Sequence, residues 1–323
     1  MSEACAVLAI SGGVGGAKLA LGLDRCLPRG QLGVLVNTGD DFRHLGLCIC
    51  PDLDTVMYTL AGVVHPGQGW GRSDESFGVL EELRRLGAAS WFMLGDRDLA
   101  LHLERTARLA AGERLTAVTA DLARRFGLGA RLLPMSDEPV STLLDTVDGP
   151  LEFQHYFVRL RCEPAVTGIR YAGAERARPS PELLALLASP TLEAVVICPS
   201  NPYLSIDPVL AVPGMRDALR GCAAPVVAIS PLIGGRAVKG PTAKIMRELG
   251  VEAGTRSIAR HYAGLIDGLV VDSGDAGEAA RLGLHVLATN TLMRSLGDRQ
   301  RLAAEVLGFA AGIRAEGAAG RRR

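Results

Sequence analysis

The sequence predicts an α/β fold: a Rossmann-like, doubly wound, mostly parallel sheet with helices on both faces and a small inserted subdomain. Three observations carry that expectation. Short apolar runs alternate with amphipathic segments along most of the chain. The runs are apolar throughout, as strands covered on both faces must be. Nearly every run ends in glycine or polar residues, and in such sheets ligands bind beyond the carboxyl ends of the strands.

Taken in order, Ala4–Ile10 reads as the first strand, followed by the glycine-rich stretch SGGVGGAK (Ser11 to Lys18) and a helix over Lys18–Cys26 that Pro28 stops. Leu32–Asn37 is a second strand, and Leu53–Ala61 and Glu75–Leu86 are helices. Ser90–Leu94 reads as a strand, with helices at Leu99–Ala111 and Leu115–Arg125 after it. Arg131–Met135, Leu192–Cys198, Pro225–Ser230, Gly268–Asp272 and Leu284–Ala288 complete the strands. Pro181–Ala188, Thr242–Leu249, Ser257–Ile266 and Arg299–Ile313 complete the helices. Leu151–Tyr171 breaks the rhythm: Phe153, His155, Phe157, Val158 and Arg159 mix aromatic, charged and β-branched side chains, which suits a half-exposed antiparallel hairpin. The expected organisation is a nucleotide-binding core of residues 1–129 and 191–323 with an insert at 130–190.

The bulk composition excludes several classes. With 48% hydrophobic and 22% charged residues the 323-residue chain has ample core. Lysine plus arginine equals aspartate plus glutamate at 35 each, so no overall field recruits nucleic acid, and the terminal arginines read as a solvated tail. The seven cysteines are odd in number and mostly embedded in apolar runs, as reduced thiols are. Cys48 and Cys50 have no second pair or histidine cluster to complete a zinc site. Apolar runs fall far short of a membrane span, and no basic-then-apolar leader opens the chain, so the expected location is the cytoplasm.

A strand, a glycine turn and a helix start together form an anion site, because free amides and the positive end of the helix dipole converge there. Gly12, Gly13, Gly15 and Gly16 would let backbone amides approach phosphate, with Lys18 as a point charge. The loop narrowly misses both familiar motifs: a Walker loop needs glycine at Ala17 and Ser or Thr at Leu19, and a dinucleotide fingerprint needs glycine at Lys18. Alone, it is also compatible with a tight turn. Asp40-Asp41 and Pro51-Asp52-Leu53-Asp54 cluster around the next strand end. Asp52 suits a helix cap, whereas Asp54 lies further in. Two such carboxylates opposite a phosphate loop match magnesium, which keeps phosphate and water as its other ligands. Gly95-Asp96-Arg97-Asp98 suits either a local ion-pair network or a substrate contact through Arg97. The loop from Gly234 to Pro241, with Lys239, suits a second anion site or a plain surface loop. The six histidines fall in no triad or metal spacing, and no serine stands in a nucleophile-elbow sequence.

In order along the chain, SGGVGGAK, NTGDD, PDLDT with MYTLAG, GWGRSDESFG, LGDRDLA, LLPMSDEPV, PSNPYLSI and SPLIGG-x-x-x-KGP resemble the 2-phospho-L-lactate transferases of coenzyme F-420 biosynthesis. The resemblance implies a magnesium-dependent transfer. A guanosine diphosphate-linked three-carbon acid gives its phospho-acyl unit to the terminal ribityl hydroxyl of the deazaflavin Fo and releases GMP. It implies that Ser200, Asn201 and Pro202 line the nucleotide pocket, with the glycine loop on the phosphates. Asp40 and Asp54 are the expected metal ligands, the residues leaving the choice among Asp40, Asp41, Asp52 and Asp54 open. Asp54 would also act on the Fo hydroxyl, with Arg97 contacting Fo. Met93 replaces a lysine that some relatives carry before LGDRD, leaving recognition there apolar or from the backbone. Ser136 and Asp137, beside Glu138 where the chain leaves the core, are expected to contact the donor acid, with Arg159, Arg161 or Arg97 supplying a cation. The residues do not distinguish phospholactate, phosphoenolpyruvate and 3-phosphoglycerate. Two other readings are a nicotinamide oxidoreductase and a non-catalytic guanine-nucleotide-binding protein. A homodimer is compatible with the sequence.

Overall fold

Residues 5–320 are described by a computed structural model. Its elements in chain order begin with β1 (Val7–Ser11), α1 (Gly13–Cys26), β2 (Leu32–Val36), the short hairpin β3 (Phe42–His44) and β4 (Leu47–Ile49), and α2 (Pro51–Ala61). There follow α3 (Gly78–Arg85), α4 (Asp96–Ala110), α5 (Leu115–Arg125), β5 (Arg131–Pro134), β6 (Ser141–Thr146), β7 (Gly149–Glu152), β8 (Val166–Ala172), α6 (Pro181–Leu187) and β9 (Ala194–Ile197). The last part comprises α7 (Asp207–Ala211), α8 (Met215–Arg220), β10 (Val226–Ile229), β11 (Leu232–Ile233), β12 (Arg236–Ala237), α9 (Thr242–Glu248), α10 (Thr255–His261), β13 (Gly268–Asp272), α11 (Ala276–Ala279), β14 (His285–Thr289) and α12 (Leu296–Gly320).

The expected parallel sheet is present, with seven strands in the order β14-β13-β10-β9-β1-β2-β5. Alternate residues of one strand serve opposite layers. Val7 and Ala9 pack with α1, α2, α5 and α12, while Leu8 and Ile10 pack with α6, α7, α8 and α10. Every residue of β1, β2, β9 and β10 is buried, which is why these strands lack a polar face. The chain winds outward from β1 in both directions, toward β2 on one side and β9 on the other, so a crevice opens above β1 and β9.

Several expectations need correction. Helix α1 starts at Gly13 rather than Lys18, because the glycine loop is itself the first helical turn. The first strand starts at Val7; Ala4 and the terminal arginines lie outside the described residues. Ser90–Leu94 forms no strand. Trp91 and Phe92 pack instead on Phe42 and His44 of the β3–β4 hairpin, so an aromatic cluster accounts for the apolar run. The hairpin, with strands of three residues each, had no period long enough to read. The insert is an antiparallel three-stranded sheet in the order β7-β6-β8, but His155–Arg159 is a wide helical turn with Tyr156 buried at its centre. The excursion is narrower than 130–190, since β5 belongs to the main sheet and α6 buries Leu183, Leu186 and Leu187 against it. Leu144, Tyr156 and Val166 seat the insert on Leu204 and on Ile245 of α9.

Candidate active site

Beyond the carboxyl ends of the parallel strands lies a cavity of about 1020 Å³, large enough for a nucleotide and a second ring system together. Its floor is the glycine turn. Ser200 Oγ donates to the Gly12 carbonyl at 2.8 Å and accepts from the Gly12 amide at 3.1 Å, tying the end of β1 to the end of β9. A Cβ on Gly15 would sit 2.6 Å from the Pro199 carbonyl oxygen, and one on Gly16 would overlap Ser11 Oγ and Ser200 Oγ. These two glycines thus let α1 approach the strand ends. Gly13 instead needs its positive φ of 64°. Gly12, Gly13 and Gly15 line the cavity; Gly16 faces the packing beneath it. Lys18 reaches the rim, where its amine donates to the Met293 carbonyl at 3.4 Å. Burial, then the nearby Lys239 and Arg299, lower its pKa.

Beside the glycines stand two carboxylates joined by one amide, with the Gly13 backbone favouring the Asp52 charge. Asn37 Nδ2 donates to Asp52 Oδ2 at 2.9 Å and to Asp40 Oδ1 at 3.3 Å, while the Gly39 amide holds the Asn37 oxygen. Gln154, from the insert, donates to Asp40 Oδ2 at 3.2 Å. Burial raises the Asp40 pKa well above the carboxylate range and the Asp52 charge adds to it; burial pushes Asp52 up to about 6. Two desolvated, mutually repelling carboxylates suit a hard cation. Among the described residues no group of three or more His, Cys, Asp or Glu is placed to hold a metal ion.

Asp54 is placed differently. Arg105 of α4, fully buried, donates from Nη1 to Asp54 Oδ2 at 3.1 Å and from Nη2 to Oδ1. Asp52, rather than Asp54, shares the Asn37 amide with Asp40, while Asp54, the other expected metal ligand, faces Arg105. Arg105 Nη1 also lies 3.3 Å from His102 Nδ1. A guanidinium can only donate, so Nδ1 accepts and the ring proton sits on Nε2. Burial, with Arg105 adding to it, lowers the His102 pKa to about 4. Asp98, one turn earlier on α4, also faces the cavity, and burial raises its pKa to about 6.

The remaining expectations divide cleanly. Ser200 and Asn201 line the cavity, whereas Pro202 is buried as the first residue of the helical turn Pro202–Ile206. The Asn201 oxygen accepts from the amides of Tyr203 and Leu204, leaving its buried Nδ2 without a partner. Arg97 is exposed, pairs with Asp74 and does not line the cavity. Glu75 and Asp96 accept backbone amides around it, so this loop is largely the ion-pair network, with Asp98 alone facing inward. Ser136 and Asp137 are likewise set aside from the cavity. Ser136 Oγ donates to Glu138, and Asp137 accepts from the Thr116 amide and pairs with Arg114. Trp70, Trp91, Met93, Phe153 and Phe157 form an apolar wall that the motifs did not reveal, apart from Met93. Arg105 and His102 were also missed; their signal is Asp98, His102 and Arg105 at i, i+4 and i+7, a polar stripe on the inner face of a helix.

The fold is that of a doubly wound α/β protein with its large cavity at the switch point of the parallel sheet, where such folds bind ligands. Residues 7–292 match the family model described as 2-phospho-L-lactate transferase CofD. A phosphoenolpyruvate transferase from Streptomyces griseus is 42% identical over 318 residues, covering 96% of this chain and 99% of that protein. A 2-phospho-L-lactate transferase from Methanosarcina mazei is 39% identical over 300 residues, covering 92% and 98%. A solved structure of a UPF0052 family protein from Bacillus halodurans shares the fold, with a TM-score of 0.63 at 16% identity over 94% of this chain and 99% of that one. The chain belongs to the 2-phospho-L-lactate transferase CofD family, and so is a transferase of coenzyme F-420 biosynthesis.

Proposed function

We propose that the chain transfers the phospho-acyl unit of a guanosine diphosphate-linked three-carbon acid to the terminal ribityl hydroxyl of Fo, releasing GMP. The observation that carries this reading is the Asp40–Asn37–Asp52 pair beside the glycine helix start, in a cavity that Trp70, Trp91, Phe153 and Phe157 also line. Phosphoryl transfer asks for a diphosphate cradle, charge neutralisation and an oriented hydroxyl. The amides of the glycine turn and Lys18 hold the diphosphate, and the free Asn201 Nδ2 adds a donor on the nucleotide side. Magnesium, held by Asp40 and Asp52, would neutralise charge on the diphosphate. Asp54, fixed by Arg105, accepts a hydrogen bond from the ribityl hydroxyl. Trp70, Trp91, Phe153 and Phe157 offer flat apolar faces to the deazaflavin and exclude water.

Among the three acids, phosphoenolpyruvate is favoured, because the 42%-identical relative from Streptomyces griseus is named a phosphoenolpyruvate transferase. No helix among the described residues is long and apolar enough to cross a membrane, which supports a cytoplasmic setting. The test is mass spectrometry of Fo incubated with magnesium, the chain and each guanylylated acid. A new Fo adduct with the mass of one phospho-acid supports the reading. Guanine-nucleotide binding without an adduct from any donor would favour a non-catalytic nucleotide-binding protein.

A further inference from the structure

Four carboxylates edge the cavity, and three of them are already committed. Asp40 and Asp52 share Asn37 Nδ2. Asp54 has both oxygens on the buried Arg105 guanidinium. Both oxygens are thus engaged by a guanidinium before any substrate arrives. Asp98 is the fourth. It is 8% exposed, faces the cavity from the first turn of α4, and has no cationic partner among the described residues.

Burial and the charged neighbours of Asp98 favour proton uptake, and two donors temper it. From α2, the Asp54 charge repels its ionised form, while the buried Tyr58 hydroxyl beside it favours the charge. From the loop before α3, Glu75 is a second negative neighbour and accepts the Asp98 amide at 3.1 Å. The Gly95 amide is the one backbone group that favours its charge. On its own helix, His102 is neutral and Arg105 is turned to Asp54.

We propose that Asp98 is the catalytic proton acceptor for the Fo hydroxyl, with Asp54 orienting that hydroxyl and Arg105 the positioning residue that keeps the two carboxylates in different roles. This rests on the reaction proposed above. In the step, the hydroxyl O–H bond breaks and its proton passes to an Asp98 oxygen. The hydroxyl oxygen bonds to the phosphorus that carries the acid. The bridging P–O bond to the guanosine-side phosphate breaks, and GMP leaves with its electron pair. Two carboxylates in unlike surroundings, one clamped by a buried guanidinium and one without a cationic partner among the described residues, suit divided acid–base and electrostatic duties. A base raised toward 6 is ionised at neutral pH and still a better acceptor than an ordinary carboxylate.

The test is the pH dependence of kcat and kcat/KM for the wild-type chain, Asp98→Asn, Asp98→Glu and Asp54→Asn, with Fo binding followed by its fluorescence and folding by thermal melts. The wild type should show an acid limb near pH 6. Asp98→Asn should lower kcat by about 10²–10⁴-fold, bind Fo normally and lose the limb, and Asp98→Glu should restore part of both. Asp54→Asn should keep the limb. A folded Asp98→Asn that retains the acid limb, or loses less than about tenfold in kcat, overturns this assignment while leaving the transfer reaction intact. Absence of turnover by the wild type with every donor overturns the reaction and the assignment together.

Discussion

Arg105 on α4 clamps Asp54 on α2 through both carboxylate oxygens, and the pair is buried. Removing one partner of such a pair strands a charge away from water, which costs about 3–5 kcal/mol. Arg105→Met should therefore destabilise the chain by that order in urea unfolding. Replacing both partners with apolar residues, Asp54→Leu with Arg105→Met, should recover most of the loss without restoring turnover. Equal stabilities for the single variant and the wild type would show that the clamp is not formed in solution.

The second prediction concerns pH and Asp52. Burial raises its pKa to about 6 in the folded chain, against an ordinary value near 3.8. A raised carboxyl binds its proton more tightly when folded, so it penalises folding above pH 6, and the penalty fades as pH falls through 6 toward 4. Asp52→Asn should thus be more stable than wild type at pH 8, by an amount of order 2 kcal/mol. The gap should close near pH 4. Thermal melts across this range, without divalent ions, are the measurement.

Magnesium should reverse that penalty. A cation bound by the folded state alone stabilises it by about 2.7 kcal/mol at a hundredfold excess over its Kd. Calorimetry with added magnesium should raise the wild-type melting temperature and leave Asp40→Asn and Asp52→Asn much less affected. An equal rise in all three would place the ion elsewhere.

At the glycine turn the substitutions should separate two causes. Gly15→Ala puts a Cβ against the Pro199 carbonyl and should loosen the packing of α1, costing about 1–3 kcal/mol. Gly13→Val opposes a φ of 64° and places bulk at the cavity floor, so its larger effect should be on GDP affinity by titration calorimetry. An unchanged GDP affinity in a folded Gly13→Val chain would make the turn purely structural.

Donor choice should move with the insert. Gln154 reaches Asp40, and Phe153 and Phe157 line the cavity, whereas Ser136 and Asp137 do not. Exchanging residues 134–162 for those of a relative with a different acid should shift kcat/KM between donors by about tenfold or more, a difference of about 1.4 kcal/mol. A chimera that folds, binds GDP equally well and keeps the parent preference would locate selectivity in the core.

The parallel sheet was legible because buried strands are apolar at every position, and that signal is local to each run. The floor was legible for the same reason: strand ends, glycines and aspartates are contiguous in sequence. What escaped was assembled across distance. Arg105 meets Asp54 from 51 residues away, and Gln154 meets Asp40 from 114. Gln154 carries no local mark that distinguishes it from an ordinary polar residue, and the stripe of Asp98, His102 and Arg105 marks a helix face without naming its partner. Arg97, Ser136 and Asp137 misled for the converse reason. They stand in motifs beside the site, but nearby carboxylates, amides and cations satisfy them first.

The reciprocal Gly12–Ser200 hydrogen bonds fasten two neighbouring strands of the main sheet, while most of the aromatic wall comes from segments outside it. In the proposed reaction, chemistry and substrate identity would then fall to separate parts of the molecule. Such a division makes the scaffold a candidate for retargeting: the loop bearing Trp70, the segment bearing Trp91 and the insert bearing Phe153 can be exchanged as cassettes. A library varied only in those cassettes would keep the catalytic groups of the sheet and of α2 and α4, and could be screened for altered acceptors rather than for rescued folding.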